Sequence, residues 1–199
     1  VPPVPLVVVV GASGACGATT TALAIATIAA APENCAARVV ECASAAESGL
    51  GSACTAELGE IDGWRRGRRE RVTIWRVDGT VAALDQVPRP PVLDPVDGPA
   101  VTVLDIGWDV SQLPAASLHW AGRWLARADA VVVVAEATVP SLRRLESTLK
   151  RLPGRLVGGQ FLVAVLGPRP RRWPRHVAAA AGPLTDAAIQ DNRLVWLPF

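Results

Sequence analysis

The sequence predicts an α/β domain of the doubly wound kind, with a mostly parallel sheet flanked by helices. Short continuous apolar runs recur at 6–10 (LVVVV), 38–40 (RVV), 101–104 (VTVL), 130–134 (AVVVV) and 161–166 (FLVAVL). Strands that are apolar at every position are buried on both faces, as in a parallel sheet. Helical stretches separate the runs, and such alternation closes right-handed into layers. A glycine-rich decapeptide, GASGACGATT at 11–20, joins the first run to the first helix.

The elements follow in order. The first helix is expected over 19–31, a small-residue stretch stopped by Pro32. Residues 60–76, EIDGWRRGRRERVTIWR, read as a basic insertion or loop leading into a strand at 71–77. Arg65, Arg66, Arg68, Arg69, Arg71 and Arg76 stand there against Asp62 and Glu70. A proline-rich connection occupies 87–99. A helix over 111–127 starts at Ser111 as cap and carries Leu113, Leu118, Trp120 and Leu125. A further helix over 139–152 spaces Leu142, Leu145, Leu149 and Leu152 by three or four residues. Arg143, Arg144, Lys150 and Arg151 fall on its other faces, and Pro153 with Gly154 ends it.

Composition narrows the class. A chain of 199 residues fits a single domain with a sizeable core. Half of it is hydrophobic and the mean hydropathy is +0.30, so it folds rather than staying disordered. Its longest apolar stretch is too short to span a bilayer, and no basic segment precedes the first apolar run. A cytoplasmic location is the expectation. The net charge of +2 does not by itself imply a nucleic-acid partner. Cys16, Cys35, Cys42 and Cys54 form no C-x-x-C pair, and only His119 and His176 accompany them, so reduced thiols are expected. With no methionine and no polar tail, the chain reads as a piece of a longer protein.

Ligands in doubly wound folds bind where strands end at their C-terminal edge. Residues 11–20, 41–51 and 105–109 all follow strands and should gather there. A strand, glycine loop and helix in series binds phosphate, because loop amides point inward and the helix start is partly positive. The general pattern G-x-x-x-x-G-K-[ST] finds its closing glycine in Gly17 and its hydroxyl in Thr19, but Ala18 in place of lysine. The alternative is a plain glycine turn without a ligand. Asp105 is likewise either a metal-holding carboxylate or a turn aspartate. The arginine clusters, interleaved with Trp64, Trp75 and Trp173, read either as a phosphate- or lipid-contacting face or as a solvated surface.

SGACGATTTALAIA resembles the loop and helix of the ParA/MinD-type partitioning and placement ATPases, whose loop reads K-G-G-x-G-K-T-T. Gly14, Gly17, Thr19 and Thr20 match. Ser13 stands at the family's signature lysine and Ala18 at the general lysine. The family's D-x-D after the second strand becomes Glu41 and Ala43, so the water-positioning carboxylate is replaced. The D-x-P-x-G after the third main strand keeps Asp105 but not the proline. The family's adenine-contacting asparagine would fall near Gly167, and LVWLPF looks like its last strand and turn.

The resemblance implies a P-loop NTPase-like three-layer sandwich binding ATP or ADP with magnesium. It implies contacts from Gly14, Ala15, Cys16, Gly17, Ala18, Thr19 and Thr20, and magnesium held by Thr19 and Asp105. With three catalytic charges gone together, a pseudo-ATPase is expected, since electrostatic stabilisation is usually the largest catalytic contribution. No catalytic residue is assigned. The implied role is a scaffold or regulator with a protein partner in an actinobacterial positioning, partitioning, secretion or mobile-element transfer system. One alternative is a working ATPase in which Arg65, Arg66, Arg68 or Arg69 replaces the lost lysines. Another is a DNA- or membrane-associated module at the nucleoid or membrane periphery using those residues and Arg71. Ser13 argues against the family's sandwich dimer.

Overall fold

The computed structural model describes residues 4–33, 35–91, 99–113, 119–153, 156 and 160–198. Its centre is a nine-stranded sheet in the order β3-β4-β5-β2-β6-β1-β7-β8-β9. The strands are β1 (Leu6–Gly11), β2 (Ala37–Glu41), β3 (Ala56–Ile61), β4 (Trp64–Arg69), β5 (Val72–Val77), β6 (Val101–Asp105), β7 (Ala130–Glu136), β8 (Gln160–Leu166) and β9 (Leu194–Leu197). All neighbours from β5 to β9 in that order pair in parallel, whereas β3–β4 and β4–β5 are antiparallel. The helices are α1 (Ala18–Ala29), α2 (Trp120–Ala126), α3 (Val139–Arg151), α4 (Arg175–Ala178) and α5 (Pro183–Gln190).

The apolar runs are continuous because each strand feeds two cores. Val8 and Val10 of β1 face the layer containing Leu125, Leu142 and Leu145, while Val9 faces Ala22 and Ala26 of α1. Alanine at those α1 positions lets the helix lie close to the sheet. On the opposite face α3 presents Leu142, Leu145 and Leu149, with Leu152 at its C-cap, all buried, as their spacing predicts. Thr138 caps α3 by accepting from the Ser141 amide.

The arginine-rich stretch departs from the expected loop. Residues 64–69 form β4, an inner strand between β3 and β5. Trp64 and Trp75 lie buried side by side on adjacent strands, with ring centroids 6.4 Å apart, and Trp64 meets Trp120 of α2 at the same distance. These tryptophans and the buried Trp173 are therefore core, not stacking platforms. The arginines between them are mostly engaged. Arg65 pairs with Glu60 and Asp78, Arg76 with Glu57, and Arg71 donates to the carbonyls of Ala31 and Pro32. Arg66 donates to the Leu58 carbonyl and lies over Trp75.

The helix expected to start at Ser111 starts later. Ser111 belongs to a 3-10 turn, Val110–Gln112, capped by Asp109, and α2 begins at Trp120 behind His119 as its cap. Residues 114–118 of that expected helix, 92–98 of the proline-rich connection, Gly154 and Phe199 lie outside the described residues.

One carboxylate joins α3 to α5. Glu146 accepts from the amides of Leu184 and Thr185 and from the Thr185 hydroxyl, serving the exposed donors of the α5 start. A Cβ at Gly182 would lie 2.4 Å from the Glu146 carboxyl carbon, so glycine keeps that approach open. Replacing Glu146 with Ala should cost about 1–3 kcal/mol, the penalty for leaving such donors unmet. A shift of the denaturant midpoint measures it, and an unchanged midpoint would contradict the capping role.

Candidate functional site

The three post-strand stretches do meet at the C-terminal edge of the sheet. They line a cavity of about 690 Å³ with residues 11–20, Ala43, Glu47, Asp105, Gly107, Trp108, Asp109 and Arg144. Register explains the meeting: Val9 and Glu41 both pair with Asp105, and Gly11 pairs with Val134.

The loop from β1 to α1 is held at several points. The Ala12 amide and the Cys16 thiol both donate to the Val134 carbonyl, at 2.8 and 3.2 Å. Ser13 and Ser141 share a hydroxyl hydrogen bond of 3.1 Å, tying the loop to the first turn of α3. Ala15 and Gly17 sit at φ +57° and +83°, the left-handed region. Alternation of this kind turns successive amides toward one concavity. A side chain at Gly17 would meet Leu166 at 2.6 Å, so glycine is demanded there by space as well as by φ. At Gly14 an added Cβ meets nothing within 4 Å.

Gly17 caps α1 without any side-chain hydrogen bond, and the first turn carries no acidic residue. The amides at the start of α1 therefore face the cavity without a protein side chain to serve them, the arrangement that suits an anion. Gly14, Ala15, Cys16, Gly17, Ala18, Thr19 and Thr20 all line the cavity. Cys16 is itself buried, so its contribution is packing.

Asp105 is fully buried, and neither carboxylate oxygen has a hydrogen-bond partner of full geometry. Burial, with Glu41 beside it, pushes its pKa up to about 7, although Thr19 and the Gly107 amide partly offset this. An orphaned buried carboxylate next to a threonine hydroxyl is chemically suited to a hard cation. Glu41 is different. It accepts from the Ser48 hydroxyl and the Gly49 amide, so it anchors the loop after β2, while burial still raises its pKa. Burial also raises the pKa of the Cys42 thiol, which lies between these carboxylates in sequence and faces the core.

Among the cavity residues without a sequence assignment are Glu47, Trp108, Asp109 and Arg144. The first three lie within stretches expected at this edge, but no motif singles them out. Trp108 donates its indole N–H to the Cys42 carbonyl at 2.8 Å, and Gly107 at φ +66° lets this loop approach Ala43. Asp109 has its pKa lowered by Ser111 first, with Arg151 and Arg144 contributing. Arg144 arrives from α3, one turn beyond Ser141. Arg65, Arg66, Arg68 and Arg69 do not line the cavity, so the structure does not place any of them where the expected arginine substitute would act. Gly167 also lies outside it.

No family model matches the sequence, and no curated protein matches it. Solved structures do match. A ParA family ATPase from Chlorobium tepidum TLS shares 13% identity, covering 98% of this chain and 85% of its own, with a TM-score of 0.55. An ATP complex of a McdA variant from Cyanothece shares 16%, covering 98% and 82%, with a TM-score of 0.56. The MinC:MinD cell division protein complex of Aquifex aeolicus shares 15%, covering 98% and 81%, with a TM-score of 0.54. At such identity the likeness establishes the fold: the ParA/MinD-like P-loop architecture.

The raised Asp105 pKa carries a pH signature. Between pH 3.8 and about 7 the unfolded chain loses this proton before the folded one, so stability falls as pH rises through that window. In metal-free buffer, Asp105→Asn should gain stability relative to the parent above pH 7, and the gain should vanish below about pH 4. Denaturant midpoints at pH 4 and 8 measure it; a gap independent of pH would contradict a buried, protonated Asp105.

Proposed function

We propose that this chain is a nucleotide-binding domain of ParA/MinD-like fold that takes ATP or ADP with magnesium but hydrolyses slowly or not at all. The observation that carries the reading is the loop itself. Left-handed Ala15 and Gly17 and an uncapped α1 start turn backbone donors into a cavity beside the unpartnered Asp105. Loop amides of Gly14 to Thr20 would hold phosphate oxygens. Thr19 and Asp105 would hold magnesium, which supplies positive charge that the loop side chains lack.

The departures support slow chemistry. Ala18 and Ser13 bring no charge to the phosphates, and Ala43 no carboxylate to an attacking water. Backbone donors then bind the ground state without a side chain that meets charge developing in the transition state. Such a domain acts by its nucleotide-dependent shape. The setting is a positioning, partitioning, secretion or transfer system with a protein partner, at the cytoplasmic face of membrane or nucleoid. The named neighbours, an ATP-bound McdA and a MinC:MinD complex, support that choice.

Calorimetric titration with ATP and ADP, with and without magnesium, tests the proposal together with phosphate release. Saturable magnesium-dependent binding with negligible turnover is expected. Turnover at the roughly 1 s⁻¹ or more of ordinary enzymes would overturn the pseudo-ATPase part. Gly14→Asp places a like charge at the loop where space is open, so it should abolish binding while leaving the melting temperature unchanged. Undiminished binding by that variant would remove the loop from the site.

A further inference from the structure

The cavity has an imbalance that the loop alone does not resolve. Among its described lining residues, Glu47, Asp105 and Asp109 are acidic and Arg144 is the single cation. A polyphosphate entering without compensation would face like charges, and Ala18 and Ser13 offer none.

We propose that Arg144 is the phosphate-binding cation of this site, delivered from α3 in place of the two lysines missing from the loop. The inference rests on the nucleotide reading above. Its geometry comes from the Ser13–Ser141 hydroxyl pair, which pins the first turn of α3 against the loop. Arg144 is three residues beyond Ser141, so both side chains lie on the same helix face toward the cavity. The Arg144 side chain is exposed, and among the described residues it makes no hydrogen bond or ion pair. Its guanidinium is felt by Asp109, another lining residue, a weak electrostatic partner that a phosphate would displace. By contrast Arg65 and Arg76 are committed to carboxylates on the far strands.

Guanidinium suits this duty. It stays charged at all working pH values and offers a planar fork of donors to phosphate oxygens. The location also explains how the site tolerates Ser13: the position that is a lysine in the resembled family holds the helix, and that helix supplies the charge. Arg144, Thr19, Asp105 and the loop all line this one cavity, so a divalent ion held by Thr19 and Asp105 would share the phosphate charge with the guanidinium.

Titrations of MgATP and MgADP into the parent, Arg144→Ala and Arg144→Lys separate the outcomes. Arg144→Ala should weaken binding about tenfold or more, as loss of a charge-assisted contact does, and Arg144→Lys should recover part of it. Melting temperatures should stay level, since the side chain is solvent-exposed. Parent binding with an unchanged Arg144→Ala affinity would overturn the Arg144 assignment and leave the nucleotide reading standing. A lysine variant as weak as alanine would likewise overturn a role based on charge. No binding by the parent, with or without magnesium, would remove both.

Discussion

The turn from β1 into α1 is the constraint on which the rest of the C-terminal edge depends. Gly17 must adopt φ +83°, and it must lack a side chain because Leu166 of β8 occupies that space. Cys16 and the Ala12 amide lock the same turn to the Val134 carbonyl of β7. The loop is thus braced by β7 and β8 as well as by the strand it leaves. Once it is fixed, α1 can lie on β1, β2, β6 and β7 through Ala22 and Ala26, and its first amides point into the cavity.

That bracing accounts for an uneven site. The backbone curvature serves the fold, so it is kept by packing whether or not a ligand is present. Side-chain charges have no such support, and Ser13, Ala18 and Ala43 bring none to this edge. What resists a purely structural account is Asp105. A fully buried carboxylate without a hydrogen-bond partner of full geometry costs stability when ionised. Thr19 stands beside it, the pair to which the proposed function assigns the ion. Glu41, on the adjacent strand, shows what a satisfied carboxylate looks like in the same layer.

Much of this was legible in the sequence, for identifiable reasons. Both-face burial makes β1, β6 and β7 read as largely apolar runs, and the leucine spacing of α3 is unmistakable. The loop residues declare themselves through Gly14, Gly17 and Thr19. The arginine stretch was less legible. In WRRGRR only Trp64 and Gly67 turn fully inward, so charge density hides the strand period. The β3 strand, AELGEI, is exposed at every position, so its Leu58 and Ile61 mark no buried face. The short α4 and α5 have too few turns to establish a period. Arg144 reads as one more exposed helix arginine until the Ser13–Ser141 contact fixes which face of α3 meets the loop.

The central claim is that backbone amides of the β1–α1 loop are the donors to a bound nucleotide. Hydrogen exchange followed by mass spectrometry, with and without MgATP, tests it most directly. Slowed exchange is predicted in peptides covering 13–20 and 105–109, with β3 and β4 unchanged. Saturation with MgATP that leaves 13–20 unprotected, or that protects the arginine-rich strands instead, would contradict it.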